Sequence, residues 1–370
     1  MKNILRNFIL IAALPSIAGA EPANLIEAAG KNFTMGVGIN DRIHEMKDDW
    51  ELLKKHFQII TPENCMKPVA IQPTEGTFNF AQADAFVAFA EKNELDIVGH
   101  CLVWAKDDRT PPWFYVDEAG EPLGREELLS RMKTHIDTVV GRYKGRIAMW
   151  DVVNEALDDG DEDLRPSGWT KATGADFIAK AFEYAHAADP DALLIYNDYN
   201  NELPAKREKM DRLIRSLKEK KVPLHAIGLQ GHYEIDRVPF EELEKTFEWA
   251  KSHNLQVVIT ELDIDMIPRG IWWADGGKNR EEVAKINPYT EGVPQELLDR
   301  QAEQYARLFA MFKKHSDNIL RVSFWNLHDG QSWLNDFPWK RTNHPLLFDR
   351  ERKEKPAYDA VIRELANPGS

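Results

Sequence analysis

Cysteine is nearly absent from this chain: Cys65 and Cys101 are the only two among 370 residues. A disulfide framework is thereby excluded, and the pair reads as two buried thiols near strand ends. Eleven histidines are present, yet no His-x-His, His-Glu-x-x-His or Cys-x-x-Cys spacing occurs. Zinc-type sites lose their usual signature, and no metal is expected. Gly36-x-Gly38 lacks the third glycine of a dinucleotide loop, and Walker-type and Gly-x-Ser-x-Gly runs are missing. Phosphate cradles and a serine-hydrolase elbow drop out, and no cofactor is expected. No linker, low-complexity tract or internal repeat interrupts the chain.

Long apolar runs are also lacking. No window approaches the roughly 20 uncharged apolar residues of a membrane span, so none is expected. The first residues carry Lys2 and Arg6, then an apolar run at 8–14, then Ala18-Gly19-Ala20. That order predicts a secretory signal peptide over 1–20, cut after Ala20, and a protein secreted to the periplasm or the medium. Basic residues are outnumbered, 47 Lys and Arg against 61 Asp and Glu, a formal charge of −14 that becomes −16 once Lys2 and Arg6 are removed. Nucleic acid and anionic membrane are disfavoured as partners, whereas a neutral polymer is compatible.

What the chain does have is alternation. Eight short apolar runs, at 33–39, 57–61, 96–100, 149–153, 193–196, 226–230, 256–260 and 320–325, read as strands. Stretches with apolar residues every three or four positions read as helices at 84–93, 128–143, 175–188, 206–220, 240–253 and 294–314. Eight strands alternating with helices predict an α/β fold, a single (β/α)8 TIM barrel forming one domain over 21–370. The segment 266–294, with Trp272 and Trp273, reads as an extended loop after the seventh strand.

Such a barrel places its chemistry at the carboxyl ends of the strands. Those ends carry Glu63, Asn64 and Lys67; His100 and Trp104; Asn154 and Glu155; Asn197 and Asp198; Gln230 and His232; Glu261 and Asp263; and Trp325, with Trp333 eight residues on. Glu155 and Glu261 each follow an apolar strand directly. Cleaving a glycosidic bond needs such a pair, one carboxylic acid to protonate the leaving oxygen and one carboxylate to attack the sugar or activate water. His232 and Asp263 beside Glu261 would keep it ionised, which makes Glu261 the nucleophile and Glu155 the acid/base. Asn154 would bond a hydroxyl beside the cleaved linkage. Trp104, Trp325 and Trp333 offer flat faces for pyranose rings, and Lys67, His100, Gln230 and His232 offer hydrogen bonds.

Together these motifs are specific. Thr-Pro-Glu63-Asn64-x-Met-Lys67, Gly-His100-x-Leu-Val-Trp104, Trp-Asp-Val-Val-Asn154-Glu155, Asn-Asp198-Tyr-Asn, Gly-Leu-Gln230-x-His232, Ile-Thr-Glu261-Leu-Asp263 and Phe-Trp325 with Ser-Trp333 occur in order from Phe33 to Phe348. The chain resembles the glycoside hydrolase family 10 xylanases, secreted (β/α)8 barrels that hydrolyse internal β-1,4 bonds of xylan with retention. The resemblance implies the same roles for Glu155 and Glu261, and a hydrogen-bond chain from His232 to Asp263. It also implies glycone contacts from Glu63, Asn64, Lys67, His100, Trp104, Asn154, Gln230, Trp325 and Trp333, with xylan as substrate and a monomeric enzyme.

Three departures stand out. Ala105, Lys106 and Asp107 follow Trp104 where the family commonly continues His-x-Gln, and Asp107 is expected to lie beside Lys67, accept a hydroxyl bond and favour a decorated or charged substituent. Gly231 stands where serine is expected, and Asn326 where glycine is expected, adding a polar group at the cleft floor. A retaining glycosidase acting on another β-1,4-glycan, or a sugar-binding barrel without catalysis, remains the alternative, although both carboxylates are intact.

Overall fold

The computed structural model describes residues 22–367. The expected signal peptide over 1–20 lies outside them. Among the described residues nine parallel strands form: β1 (Thr34–Ile39), β2 (Ile59–Pro62), β3 (Asp96–Trp104), β4 (Met149–Asn154), β5 (Leu193–Asp198), β6 (Ala226–Leu229), β7 (His232–Glu234), β8 (Gln256–Asp265) and β9 (Ile319–Trp325). Each of β1 to β6 pairs with its neighbour in sequence, β6 pairs with β8, β8 with β9 and β9 with β1. Eight strands thus close into the (β/α)8 barrel, with no open edge.

Residues along the strands are buried on both faces, as a sheet lined inside by side chains and outside by helices requires. The outer helices follow from apolar spacing. In Gln295–Lys314 the buried face is Ala302, Tyr305, Leu308, Phe309 and Phe312, and in Arg125–Arg142 it includes Leu128, Met132, Ile136, Val139 and Val140. No helix among the described residues is long and apolar enough to cross a membrane.

The sixth expected strand, 226–230, forms as β6 and is followed by a short further strand that was not expected. β6 ends at Leu229, Gly231 turns the chain at φ +80°, and β7 resumes against the outer end of β8, pairing His232 with Asp263. The turn needs a left-handed backbone, which glycine adopts without a Cβ penalty. β3 and β8 run four and five residues past their expected ends at 100 and 260, to Trp104 and Asp265, and so form a raised rim. The peptide between His100 and Cys101 is cis. Cys65 and Cys101 are free and buried.

Gly36 and Gly38 serve space rather than phosphate. Both lie on β1 opposite β9, in register with Ser323 and Trp325, and a Cβ on Gly38 would sit 2.4 Å from the Trp325 ring. Gly99 does the same on β3, where a Cβ would come 2.1 Å from the fully buried Trp150 paired with it on β4. The segment after β8 is docked by short helices Gly270–Trp273 and Arg280–Val283, with Trp272 stacked on Trp339 at 5.5 Å. Gly99→Ala is expected to cost about 1–3 kcal/mol, the usual range for overpacking a filled core, with a lowered urea midpoint as the readout.

Candidate active site

The two carboxylates arrive by different local routes. β4 ends at Asn154, and Glu155 takes a left-handed backbone at φ +56°. A non-glycine residue in that region is held there by its surroundings. Its N–H donates to Asn197 O at 2.9 Å and its carbonyl accepts from Arg165 Nε at 3.1 Å. Glu261 stays within β8, and its backbone N–H donates to Gln230 O at 2.8 Å. Both side chains are buried at the barrel mouth.

Their hydrogen bonds set them apart. Glu261 Oε1 accepts from Asn197 Nδ2 at 2.8 Å and Oε2 from His232 Nε2 at 3.1 Å, while His232 Nδ1 lies 2.9 Å from Asp263 Oδ2. Burial alone pushes His232 down, but the charges and hydrogen bonds of Asp263 and Glu261 outweigh it and hold its pKa at about 9. His232 is therefore an imidazolium at neutral pH, donating from both nitrogens. Burial pushes the Glu261 carboxyl up; the His232 hydrogen bond, neighbouring His100, the His232 charge and the Asn197 amide overcome it, so its pKa falls below the ordinary glutamate value.

Glu155 lacks any cation in that position. Gln230 Nε2 donates to its Oε1 at 3.1 Å. Burial raises its pKa, and the charge of Asp198 raises it further; the Gln230 and Trp104 side chains only partly offset this, and Glu261 adds to the rise. Asp198 is itself committed, accepting from Tyr196 OH at 2.7 Å, Leu157 N at 3.1 Å, Tyr199 N at 2.9 Å and Lys206 Nζ at 2.9 Å. One buried carboxyl is thus disposed to keep a proton and the other to lose it, the division of labour of acid catalysis paired with a nucleophile or base.

An amide chain joins the two. Asn154 Oδ1 accepts from Asn197 Nδ2 at 3.0 Å and lies 3.5 Å from Gln230 Nε2, while Thr260 Oγ1 donates to Asn197 Oδ1 at 2.7 Å and fixes that amide. With its oxygen occupied, Asn154 has an Nδ2 buried without a partner among the described residues, on the wall of the cleft. A hydroxyl beside the reacting bond would supply the missing acceptor.

The cleft above these groups has a volume of about 1210 Å³, larger than the roughly 300–1,000 Å³ of a pocket for one small molecule. Glu63, Lys67, His100, Trp104, Asn154, Glu155, Gln230, His232, Glu261, Trp325 and Trp333 all line it. His100 Nδ1 is 2.8 Å from the buried Asp151, Trp333 Nε1 donates to Asp263 Oδ2 at 2.8 Å, and Lys67 Nζ lies 5.0 Å above the Trp104 ring. Asp263 stands behind His232. Asn64 stands behind Lys67, accepting from its Nζ at 2.9 Å.

Asp107 is placed otherwise than expected. Its Oδ1 accepts from Gly168 N at 2.8 Å, at the start of the helix Gly168–Thr173, and it does not line the cleft. An exposed carboxylate beside free amide N–H groups at a helix start satisfies donors that have no partner inside the helix. Lys106 and Arg109 face the cleft instead. Asn326 carries the left-handed φ of +85°, a conformation asparagine tolerates, and its Oδ1 accepts from Trp333 N at 2.8 Å.

Asn197, Thr260, Asp151, Tyr199 and Lys206 were not selected from sequence as site residues. Asn197 had a signal, its place at the end of the fifth apolar run. Tyr199 had one too, in the Asn-Asp198-Tyr-Asn motif that follows that run; Thr260, Asp151 and Lys206 take their places through strand register or loops, which spacing in the chain does not reveal. Among the described residues no group of three or more His, Cys, Asp or Glu side chains is gathered as a metal site.

Comparison with known proteins agrees with this geometry. Residues 24–364 match the model of Glycosyl hydrolase family 10. An endo-1,4-beta-xylanase of Geobacillus stearothermophilus is 40% identical over 343 residues, covering 92% of this chain and 98% of that one. Among solved structures, a GH10 endoxylanase from a sugarcane soil metagenome superposes with a TM-score of 0.86 at 40% identity, covering 93% of this chain and 100% of that one. A xylanase from Paenibacillus barcinonensis, complexed with a conduramine derivative, gives 0.84 at 37% identity, over 93% of this chain and 99% of that one. With its motifs, its barrel and a match over nearly its whole length, the chain belongs to glycosyl hydrolase family 10.

Proposed function

We propose that this glycoside hydrolase is a secreted, monomeric endo-1,4-β-xylanase working by a retaining double displacement. The opposed protonation preferences of Glu155 and Glu261 carry the reading. In the first step Glu155, neutral, gives its proton to the glycosidic oxygen while Glu261 Oε attacks the anomeric carbon; the leaving sugar departs with the proton and a glycosyl ester on Glu261 remains. In the second step Glu155, now a carboxylate, takes a proton from water, whose oxygen displaces Glu261, restoring both groups and the original anomeric configuration.

Cleft walls extend from Lys67 and Trp104 at the β2–β3 end to Tyr199, Leu203 and Trp273 at the other, with the two carboxylates between them. A polymer lying across both sides of the catalytic pair is cut internally. The substrate follows from relatives at 40% identity that are endo-1,4-beta-xylanases. Product profiling on xylan and carboxymethylcellulose side by side tests it: internal cleavage of xylan is the expected result, and faster cleavage of carboxymethylcellulose would replace it with a cellulose-type activity.

Glu261→Ala is expected to abolish xylan turnover, and added azide to restore reaction on an aryl xylobioside as the inverted glycosyl azide, read by NMR. Ordinary turnover in that variant would remove Glu261 from the role. Glu155→Ala is expected to lower kcat/KM on xylan by about 10²-fold or more, within the usual range for a lost acid/base, while aryl substrates with very acidic leaving groups lose far less. Equal losses on both would count against the proton donor.

His232 gives a pH prediction. Its raised pKa means that its charge-linked stabilisation is full below about pH 6.5, its unfolded value, and is lost as pH rises through about 9. Asp263→Asn removes the larger support for that charge. Glu261 then loses part of what depresses its pKa, and the acidic limb of the kcat/KM profile moves to higher pH. An unmoved limb would show that the Asp263–His232 pair does not tune Glu261.

A further inference from the structure

Besides the His232 imidazolium, seven lysine and arginine side chains line the cleft of a protein whose net charge is −14. Three of the four at the β5–β8 side are committed. Lys206 bridges Asp159 and Asp198, at 3.0 and 2.9 Å, and Lys209 donates to two backbone carbonyls. Arg269 reaches Asp265 at 3.2 Å and His232 O at 2.9 Å; the fourth, Arg237, is largely exposed, with Glu234 at 4.0 Å.

The β2–β3 end differs. Lys67 binds the neutral Asn64 amide and lies over one aromatic ring, that of Trp104; Arg109 lies over the same ring at 5.8 Å. Arg109 has a carboxylate only at 3.7 Å, from the adjacent and exposed Asp108. Among the described residues Lys106 has no ion pair or side-chain hydrogen bond. In sequence the run Lys106-Asp107-Asp108-Arg109 is neutral. In space it is divided, because Asp107 turns to Gly168 N while Lys106 and Arg109 line the cleft.

We propose that Lys106 and Arg109, beside the Trp104 ring at the β2–β3 end of the cleft, form a subsite for a carboxylate carried on a sugar, that is, a uronic acid branch on the xylan chain. The assignment rests on the xylanase reading and adds a preference to it. Neutral sugar laid over these cations strips water from them without replacing it by charge. A carboxylate replaces that water with charge-assisted hydrogen bonds, and a guanidinium binds it through two parallel N–H donors. The flat Trp104 face holds the ring that bears or neighbours the branch.

The test compares kcat/KM on a xylo-oligosaccharide carrying one glucuronosyl branch with that on the same compound after its carboxyl is reduced to an alcohol. Size and branching are matched, so the ratio reads charge alone. The wild-type ratio is expected to exceed one and to fall with added salt. In Lys106→Ala/Arg109→Ala the ratio is expected to drop by about tenfold, the scale of one charge-assisted hydrogen bond, and Lys106→Arg is expected to retain it. A wild-type ratio of one, or a double variant that slows both compounds equally, would overturn the subsite while leaving xylanase activity standing. Failure of the wild-type enzyme on both compounds and on plain xylan would overturn the xylanase reading and the subsite together.

Discussion

His232 lies between two carboxyl groups, 2.9 Å from Asp263 and 3.1 Å from Glu261, and its imidazolium helps hold the buried Glu261 below the ordinary glutamate pKa. An ionised carboxylate without a partner in such a place would take up a proton instead. The contact depends on register. Gly231 makes a left-handed turn after the sixth strand, and the short β7 that follows pairs His232 directly with Asp263 on the extended end of β8. Trp333 donates to the same Asp263 oxygen, so one wall of the cleft is tied to the charge system beneath it.

Around that centre the barrel mouth is electrically uneven. Glu261 sits among a cation and an amide, Glu155 beside an amide and near the committed charge of Asp198. The two carboxyls share the Asn154–Asn197–Gln230 amide chain but not their electrostatic surroundings. Rigid strands supply every member of the chain or its immediate neighbour, so the difference in proton affinity is held by backbone hydrogen bonds rather than by mobile loops. The same unevenness reaches the cleft walls, where most cations are neutralised on one side and Lys67 and Arg109 are left over a tryptophan ring on the other.

Much of the site could be read along the chain because strand ends in this fold converge on one rim. Glu155, Glu261, His232, Trp104, Trp325 and Lys67 each followed an apolar run, and all of them line the cleft. What escaped detection was set by register or by loop direction. Asn197 donates to Glu261 across strands and is itself held by Thr260, Asp151 pairs with His100 across β3 and β4, and Gly36 with Gly38 makes room for Ser323 and Trp325. The expected position of Asp107 missed because a side chain following a strand can turn either to the cleft or to a nearby helix start, and here it turns to the N–H of Gly168.

By itself the sequence determined the eight strands, the helices between them and the two carboxylates that follow β-branched runs, since local apolar periodicity and the ends of strands are properties of consecutive residues. The roles of the two carboxyls were also legible, through His232 and Asp263; only the tertiary structure supplied what separates their proton affinities, the burial of both groups, the charge of Asp198 near Glu155 and an imidazolium brought in from β7 against Glu261. It also decided that a neutral run of four residues after Trp104 presents positive charge to the cleft. Net charge is a sum over the chain, whereas a substrate meets only the side chains that folding turns toward it.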